Sequence, residues 1–309
     1  MTSNQQETGV YFTDKPLHDS QSDISKLTMF RNDMYNRFKD RVIMLLESKK
    51  PVTRHTSKGL LNPRRAYRYP FSDSVFIQKS HSKSGDTTIV MLIDGSGSMD
   101  SGCQMGDTYF SKIQVCSSIC SAFAKAIQDV LGNQIKVEIF LKSASGICST
   151  EIGGSNRGDF VSLTRLFSNQ NYQTQDKFDK LLTLSTRSPL LRDGRSVGSF
   201  TSEFSVLPAL FEWFRTNIVT KNTILFNLTD GEAYTTLGDY RGSFGNSENK
   251  HMRLKYLKQF PNVTMYVGDK GRHTKDYRDI YGDNFIETSD SGFHHALFTT
   301  LLRFLDTSL

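Results

Sequence analysis

The chain has 309 residues, 37% of them hydrophobic and 23% charged, and a formal net charge of +6, a balance that excludes a disordered polyelectrolyte and suits a protein with a sizeable core. Four cysteines in this length do not make a disulfide framework, and no apolar run approaches the roughly 18 residues of a membrane span. The opening Met-Thr-Ser-Asn-Gln-Gln-Glu lacks the basic-then-apolar pattern of a secretory signal, so a reducing cytoplasmic location is expected.

Residues 1–21 are polar and read as loose. From Asp23 onward, apolar residues recur at Ile24, Leu27, Phe30, Met34, Phe38, Val42 and Leu45, the three-and-four spacing of one amphipathic helix ending before Pro51. Residues 51–85 form an irregular arm in which Arg54, Lys58, Arg64, Arg65, Arg68, Lys79 and Lys83 alternate with Tyr67, Tyr69, Phe71 and Phe76. The chain thus divides into an N-terminal helix and basic arm, 1–85, and a larger domain, 86–309.

In the larger domain strands and helices take turns. A strand at 87–93 leads to a helix from Ser111 to Leu131, with Ile113, Cys116, Ile119, Cys120, Phe123 and Ile127 on one face, and then to a strand at 135–141. Residues 143–198 are rich in Ser, Gly, Asn and Arg, with a helix around Lys177 to Leu184, and read as an insertion over one end of the sheet. A helix at 205–216, a strand at 223–228, a helix at 247–258, a strand at 262–267, a short strand near 284–287 and a closing helix at 292–306 follow. This order predicts the α/β class: a doubly wound, mostly parallel sheet flanked by helices, Rossmann-like in layout, with an N-terminal helical extension.

The most informative stretch is Ile89-Val-Met-Leu-Ile-Asp-Gly-Ser-Gly-Ser98. An apolar strand ends there in a carboxylate and two hydroxyls at alternate positions, Asp94, Ser96 and Ser98. A carboxylate at the tip of a buried strand costs several kcal/mol unless a positive partner compensates it. Oxygen-only donors, with Gly95 and Gly97 freeing the backbone to curl around an ion, favour Mg²⁺ or Mn²⁺ over zinc or copper. A second strand, Thr223 to Thr229, closes on Asp230-Gly231, and ligands of open α/β sheets bind outside the carboxyl ends of such strands. Between them, Gly198 to Leu207 runs into an apolar helix and can supply a third hydroxyl.

Asp-x-Ser-Gly-Ser, a later Thr before a helix, and a strand ending Thr-Asp-Gly together resemble the metal-ion-dependent adhesion site of a von Willebrand factor A (VWA) domain. The resemblance implies Asp94, Ser96, Ser98, Thr201 and Asp230 as metal ligands. Ser199, Ser202 and Ser205 compete with Thr201 for its register; Thr201 is favoured because the family's spacing to a small apolar residue and Leu falls on Val206 and Leu207. Lys58-Gly-Leu-Leu-Asn-Pro-Arg-Arg65, Val75-Phe-Ile-Gln-Lys-Ser80, Asp86 to Met99, Lys112-Ile-Gln-Val-Cys and Ile135-Lys-Val-Glu-Ile-Phe140 are further similar to the C-terminal VWA region of the cobaltochelatase subunit CobT. That likeness runs from about Asp23 to the C-terminus, poorly over Ser143 to Gly198. The chain departs from it at Gly95 and Thr201, where Asn is common, and lacks the long acidic segment of the full-length subunit.

With two carboxylates and three neutral hydroxyls, an octahedral ion keeps positive charge and a position for an outside ligand. No His or Lys base and no activated nucleophile belongs to the motif, so it reads as a docking site, where an Asp or Glu from another protein completes the metal shell, rather than as an enzyme. The resemblance implies a ring-forming AAA+ ATPase of the MoxR or CobS class as partner, with a large chelatase subunit and cobalt insertion for cobalamin biosynthesis as the setting. No Gly-x-x-x-x-Gly-Lys-Ser/Thr phosphate loop is present in the sequence, so nucleotide belongs to the partner. No membrane role is expected. The competing function is nucleic-acid binding by the basic aromatic arm, although no RNP, zinc-finger or helix-turn-helix pattern accompanies it.

Other features have plainer explanations. Cys116 and Cys120, four apart on a helix, fit small buried hydrophobes better than a soft-metal pair. His294-His295 has no Cys/His companions at zinc spacing. Arg157-Gly158-Asp159 is an accidental tripeptide in a glycine-rich loop. Glu203 and Glu232 beside the expected ligands are solvated or orient a water. A haloacid-dehalogenase-type phosphotransferase needs a second Asp two residues after the first, where this chain has Ser96.

Overall fold

The computed structural model describes residues 9–13, 24–48, 53–56, 60–61, 76–79, 87–105, 108–146, 159–169, 178–179, 181–182, 210–211, 213–216, 222–230, 261–267, 281, 284–288 and 292–308. In chain order the strands are β1 Gly9–Thr13, β2 Thr53–Thr56, β3 Leu60–Leu61, β4 Phe76–Lys79, β5 Thr87–Asp94, β6 Gly102–Met105, β7 Thr108–Ser111, β8 Ile135–Gly146, β9 Asp159–Ser168, β10 Asn222–Thr229, β11 Asn262–Val267 and β12 Phe285–Thr288. The long helices are α1 Ile24–Ser48, α2 Lys112–Leu131 and α3 Phe293–Ser308.

Seven strands build one sheet in the order β1-β9-β8-β5-β10-β11-β12. Strands β8, β5, β10, β11 and β12 are mutually parallel, β9 runs antiparallel to β8, and β1 lies parallel to β9. The chain leaves β5 through α2 to reach β8 on one side and returns later as β10 on the other. The winding direction therefore reverses beside β5, and the carboxyl ends of β5 and β10 flank the crevice where ligands of such sheets bind.

The sheet is buried on both faces, as a parallel sheet with helical crossovers requires. All eight residues of β5 are buried, and their side chains alternate between two cores. Ile89, Met91 and Ile93 join Ile224, Phe226 and Leu228 of β10 under α1, α2 and α3. Val90 and Leu92 meet Leu225, Leu210, Phe211 and Phe214 on the opposite side. Helix α2 begins at a capping box: the Ser111 side chain accepts from the Gln114 backbone N–H, and Gln114 reciprocates at the Ser111 N–H. It ends at Gly132, whose φ of 58° suits a residue without Cβ.

Most expected elements are in place, and the differences have local causes. The N-terminal helix is not an appendage: Phe38 is fully buried against Phe123 of α2 and Phe298 of α3. Residues 9–13, inside the stretch expected to be loose, form edge strand β1. The arm at 51–85 contributes a small antiparallel sheet in the order β2-β4-β3. The stretch 143–198, expected as an insertion, contains the end of β8 and strand β9, both of the main sheet. Strand β9 hides its period because Leu166 is a bulge residue: Arg165 pairs with Phe140 and Phe167 with Ile139. One extra residue moves the following side chains to the other face, so Leu163 lies in one core and Phe167 in the other. The helix expected at 247–258 lies outside the described residues.

Candidate functional site

Strand β5 delivers Asp94 to the sheet's rim, where the Gly95 N–H still bonds the Lys142 carbonyl at 2.8 Å before the chain turns away. The turn is a short 3-10 helix, Gly97–Asp100, preceded by Ser96 in extended backbone and pinned by Met99, which is fully buried. Neither Gly95 nor Gly97 has a positive φ, so the loop curls by this helical turn rather than by left-handed glycines.

The loop folds back on the strand it left. Asp94 Oδ1 accepts the Ser96 backbone N–H at 2.8 Å, and Oδ2 accepts the Thr229 hydroxyl at 2.6 Å. Ser96 Oγ and Ser98 Oγ are 2.9 Å apart. The Ser98 hydroxyl donates to Asp230 Oδ1 at 2.5 Å, with Ser96 Oγ at 3.5 Å from the same oxygen. Asp94, Ser96, Ser98 and Asp230, scattered over 137 positions of sequence, thus form one hydrogen-bonded oxygen cluster at the switch point.

Both carboxylates are withdrawn from water, Asp94 completely and Asp230 to 8% exposure. Burial pushes the Asp94 carboxyl up from 3.8 to about 6, and the nearby Asp230 charge adds to the shift; Lys142 and the Thr229 and Ser96 hydrogen bonds act against it. Burial also raises Asp230, opposed by the Ser98 hydrogen bond and Lys112. The first residue of α2 sends its side chain into the cluster: Lys112 Nζ is 3.1 Å from Asp230 Oδ2, with both side chains under 10% exposed. Lys142, the register partner of Asp94 across β5 and β8, is 1% exposed.

Four of the five expected ligands are brought together. Thr201 and its competitors Ser199, Ser202 and Ser205 lie outside the described residues, as do Glu203 and Glu232. Three groups of the cluster escaped the sequence reading. The sequence marks Thr229 only as a strand residue, but the register that sets Leu228 opposite Ile93 brings the next hydroxyl to Asp94. Lys142 was signalled by a charge directly after the apolar run of β8. Lys112 had no signal beyond its position at a helix start.

Among the described residues no group of three or more His, Cys, Asp or Glu side chains is arranged to hold a metal. The donor set here is of another kind, two buried carboxylates and two hydroxyls, all oxygen, and suits a hard divalent ion rather than zinc or copper. Asp94, Ser96, Ser98 and Asp230 are the residues that would hold Mg²⁺ or Mn²⁺. Such an ion supplies positive charge where burial disfavours two anions and a coordination position for an outside oxygen.

Elsewhere the plain explanations apply. Cys103, Cys116 and Cys120 are buried and not disulfide-bonded, and burial drives the thiols of Cys116 and Cys120 upward, away from the reactive thiolate. His294 packs edge-on against Phe30, and partial burial together with His295 lowers its pKa. The basic and aromatic side chains of the 51–85 arm lie outside the described residues. Among the described residues no helix is long and apolar enough to cross a membrane.

No protein-family model matches the chain, and no curated protein does. Solved structures do. The chain is similar to the pilus adhesin SpaC from Lactobacillus rhamnosus GG at 15% identity, over 73% of this chain and 31% of that one, with a TM-score of 0.46. A von Willebrand factor type A structure from Catenulispora acidiphila matches at 17% identity over 75% and 43%, with a TM-score of 0.40. The vWF domain of the type V pili tip protein Mfa5 from Porphyromonas gingivalis matches at 11% identity over 72% and 96%, with a TM-score of 0.44. The chain therefore spans about a third of SpaC and under half of the Catenulispora protein.

Proposed function

We propose that this chain is a metal-dependent protein-binding module of the VWA type, in which Asp94, Ser96, Ser98 and Asp230, with Thr201 as fifth ligand, hold Mg²⁺ or Mn²⁺ for capture of a carboxylate from a partner. The observation that carries this reading is the convergence of the two strand-end aspartates and two serine hydroxyls at the switch point, with Asp94 and Asp230 buried. An acidic side chain that completes a metal shell makes a strong and directional contact that disappears with the ion. Among the described residues the groups that touch the cluster include hydroxyls, backbone N–H groups and an ammonium, which position and neutralise charge. Binding, not catalysis by this chain alone, is the function that follows.

At the finer level, the CobT-like segments of the sequence support an adaptor role for a MoxR- or CobS-class AAA+ ATPase, in cobalt chelation beside a large chelatase subunit or in remodelling another target. Among the described residues, three buried cysteines outside any disulfide are in keeping with a cytoplasmic setting. The test is capture of the ATPase by wild type and Asp94→Ala, with and without EDTA. Capture lost under both changes is the expected result; capture indifferent to both defeats the reading.

A further inference from the structure

A divalent ion bound by two aspartates must overcome whatever positive charge the protein already places on them. Here that charge is built in. Lys112 Nζ bonds Asp230 Oδ2 at 3.1 Å while Ser98 bonds the other oxygen, so both oxygens of Asp230 have partners inside the fold. The pair is dry, with side chains 9% and 1% exposed, and in such a medium an ion pair is felt far more strongly than at a surface. Lys112 cannot drift away at little cost. It is the first residue of α2, its backbone N–H bonds the Ser101 carbonyl at 3.1 Å, and the capping box at Ser111 fixes the start of the helix. Lys142 adds a second ammonium beside Asp94, so that two carboxylates face two cations within the cluster.

We infer that Lys112 is an internal counter-cation that competes with a divalent ion for Asp230, setting a deliberately modest metal affinity and making the site responsive to the concentration of free divalent ion. The inference rests on the metal-binding reading above and deepens it. Lys112 gives Asp230 a partner when no ion is bound, which keeps the cluster assembled. Its ammonium must yield the Asp230 oxygen, or tolerate a second positive charge close by, when an ion binds. A carboxylate that trades a charge-assisted hydrogen bond for a metal bond gains less than one that starts unpaired.

The test is titration of Mn²⁺ into wild type, Lys112→Met and Lys112→Gln by isothermal calorimetry, with Lys125→Met on the outer part of α2 as control, and thermal unfolding of each in EDTA. The expected result is Mn²⁺ affinity about tenfold higher or more in both Lys112 variants, matching loss of one charged hydrogen bond, and unchanged in Lys125→Met. In EDTA the Lys112 variants melt below wild type, and Mn²⁺ restores them by a larger increment than it gives wild type. The Gln variant keeps a neutral donor and guards against failure of Met to fold. Wild-type binding with equal or weaker affinity in the variants overturns the role of Lys112 while leaving the metal site standing. Absence of Mn²⁺ binding by wild type and both variants overturns the two together.

Discussion

Asp94 and Asp230 are both buried, but different neighbours hold them: Thr229 and the Ser96 amide on the first, Ser98 and Lys112 on the second. Asp94 has the clearer consequence for pH. Its carboxyl stands near 6 in the fold against 3.8 ordinarily, so folding takes up a proton there. A raised acid contributes stability that is complete below its unfolded value and is lost as pH rises through the folded value, here through about 6. Without metal, the stability of Asp94→Asn relative to wild type is therefore expected to rise as pH increases through about 6 and to level off toward pH 4. Urea denaturation in EDTA at pH 4.5 and 7.5, values on either side of about 6, reads the difference; an equal margin at both would refute it. Thr229→Val leaves one Asp94 oxygen without its donor and should cost about 1–2 kcal/mol, with Mn²⁺ binding weakened because the carboxylate is no longer aimed. Thr229 also shows why part of the site was hidden from the sequence. Asp94, Ser96, Ser98 and Asp230 could be read because a strand's last residue and the loop after it must lie at the sheet's rim. A hydroxyl reaching from one strand end to another becomes visible only when β5 and β10 are known to be neighbours.

At the level of elements, strands buried on both faces and the amphipathic helices α1 and α2 were legible because their apolar spacing is regular. Strand β9 was not, since the bulge at Leu166 breaks its period and polar residues crowd its approach. Its hold on the sheet is polar as well as apolar: Arg165 clasps Glu138 through two bonds of 2.9 and 2.7 Å, Ser168 adds a third, and Trp213 lies under the guanidinium. Glu138 is 4% exposed, so Arg165→Ala strands a buried carboxylate and is expected to lower stability by about 2–4 kcal/mol; Arg165→Ala with Glu138→Gln should recover much of it. A double-mutant cycle by chemical denaturation checks this, and strict additivity would contradict it. Helix α2 depends on its cap in the same local way. Ser111→Ala should cost about 1 kcal/mol and, by loosening the turn that carries Lys112, alter Mn²⁺ affinity more than a cap elsewhere would.

Across the whole molecule, the core on the α2 side of the sheet includes the N-terminal helix. Phe38 of α1, Phe123 of α2 and Phe298 of α3 meet ring to ring, at centroid distances of 5.3 and 4.6 Å from Phe38. Sequence spacing showed that α1 is amphipathic but not what its apolar face covers, which depends on the remote closing helix. Phe38→Ala should destabilise the fold by about 3–5 kcal/mol, as measured by urea unfolding, and a loss within the range of a surface substitution would show α1 to be peripheral. Among the described residues α1, α2 and α3 cover one face of the sheet and residues 210–211 and 213–216 pack on the other, and the carboxyl ends of β5 and β10 form the rim at the switch point. What that rim holds is decisive. Anomalous scattering from crystals grown with Mn²⁺ locates the ion without reference to any partner: a peak bonded to oxygens of Asp94, Ser96, Ser98 and Asp230, absent in Asp94→Ala, is the expected result, and crystals showing Mn²⁺ only at other positions, or none, would contradict it.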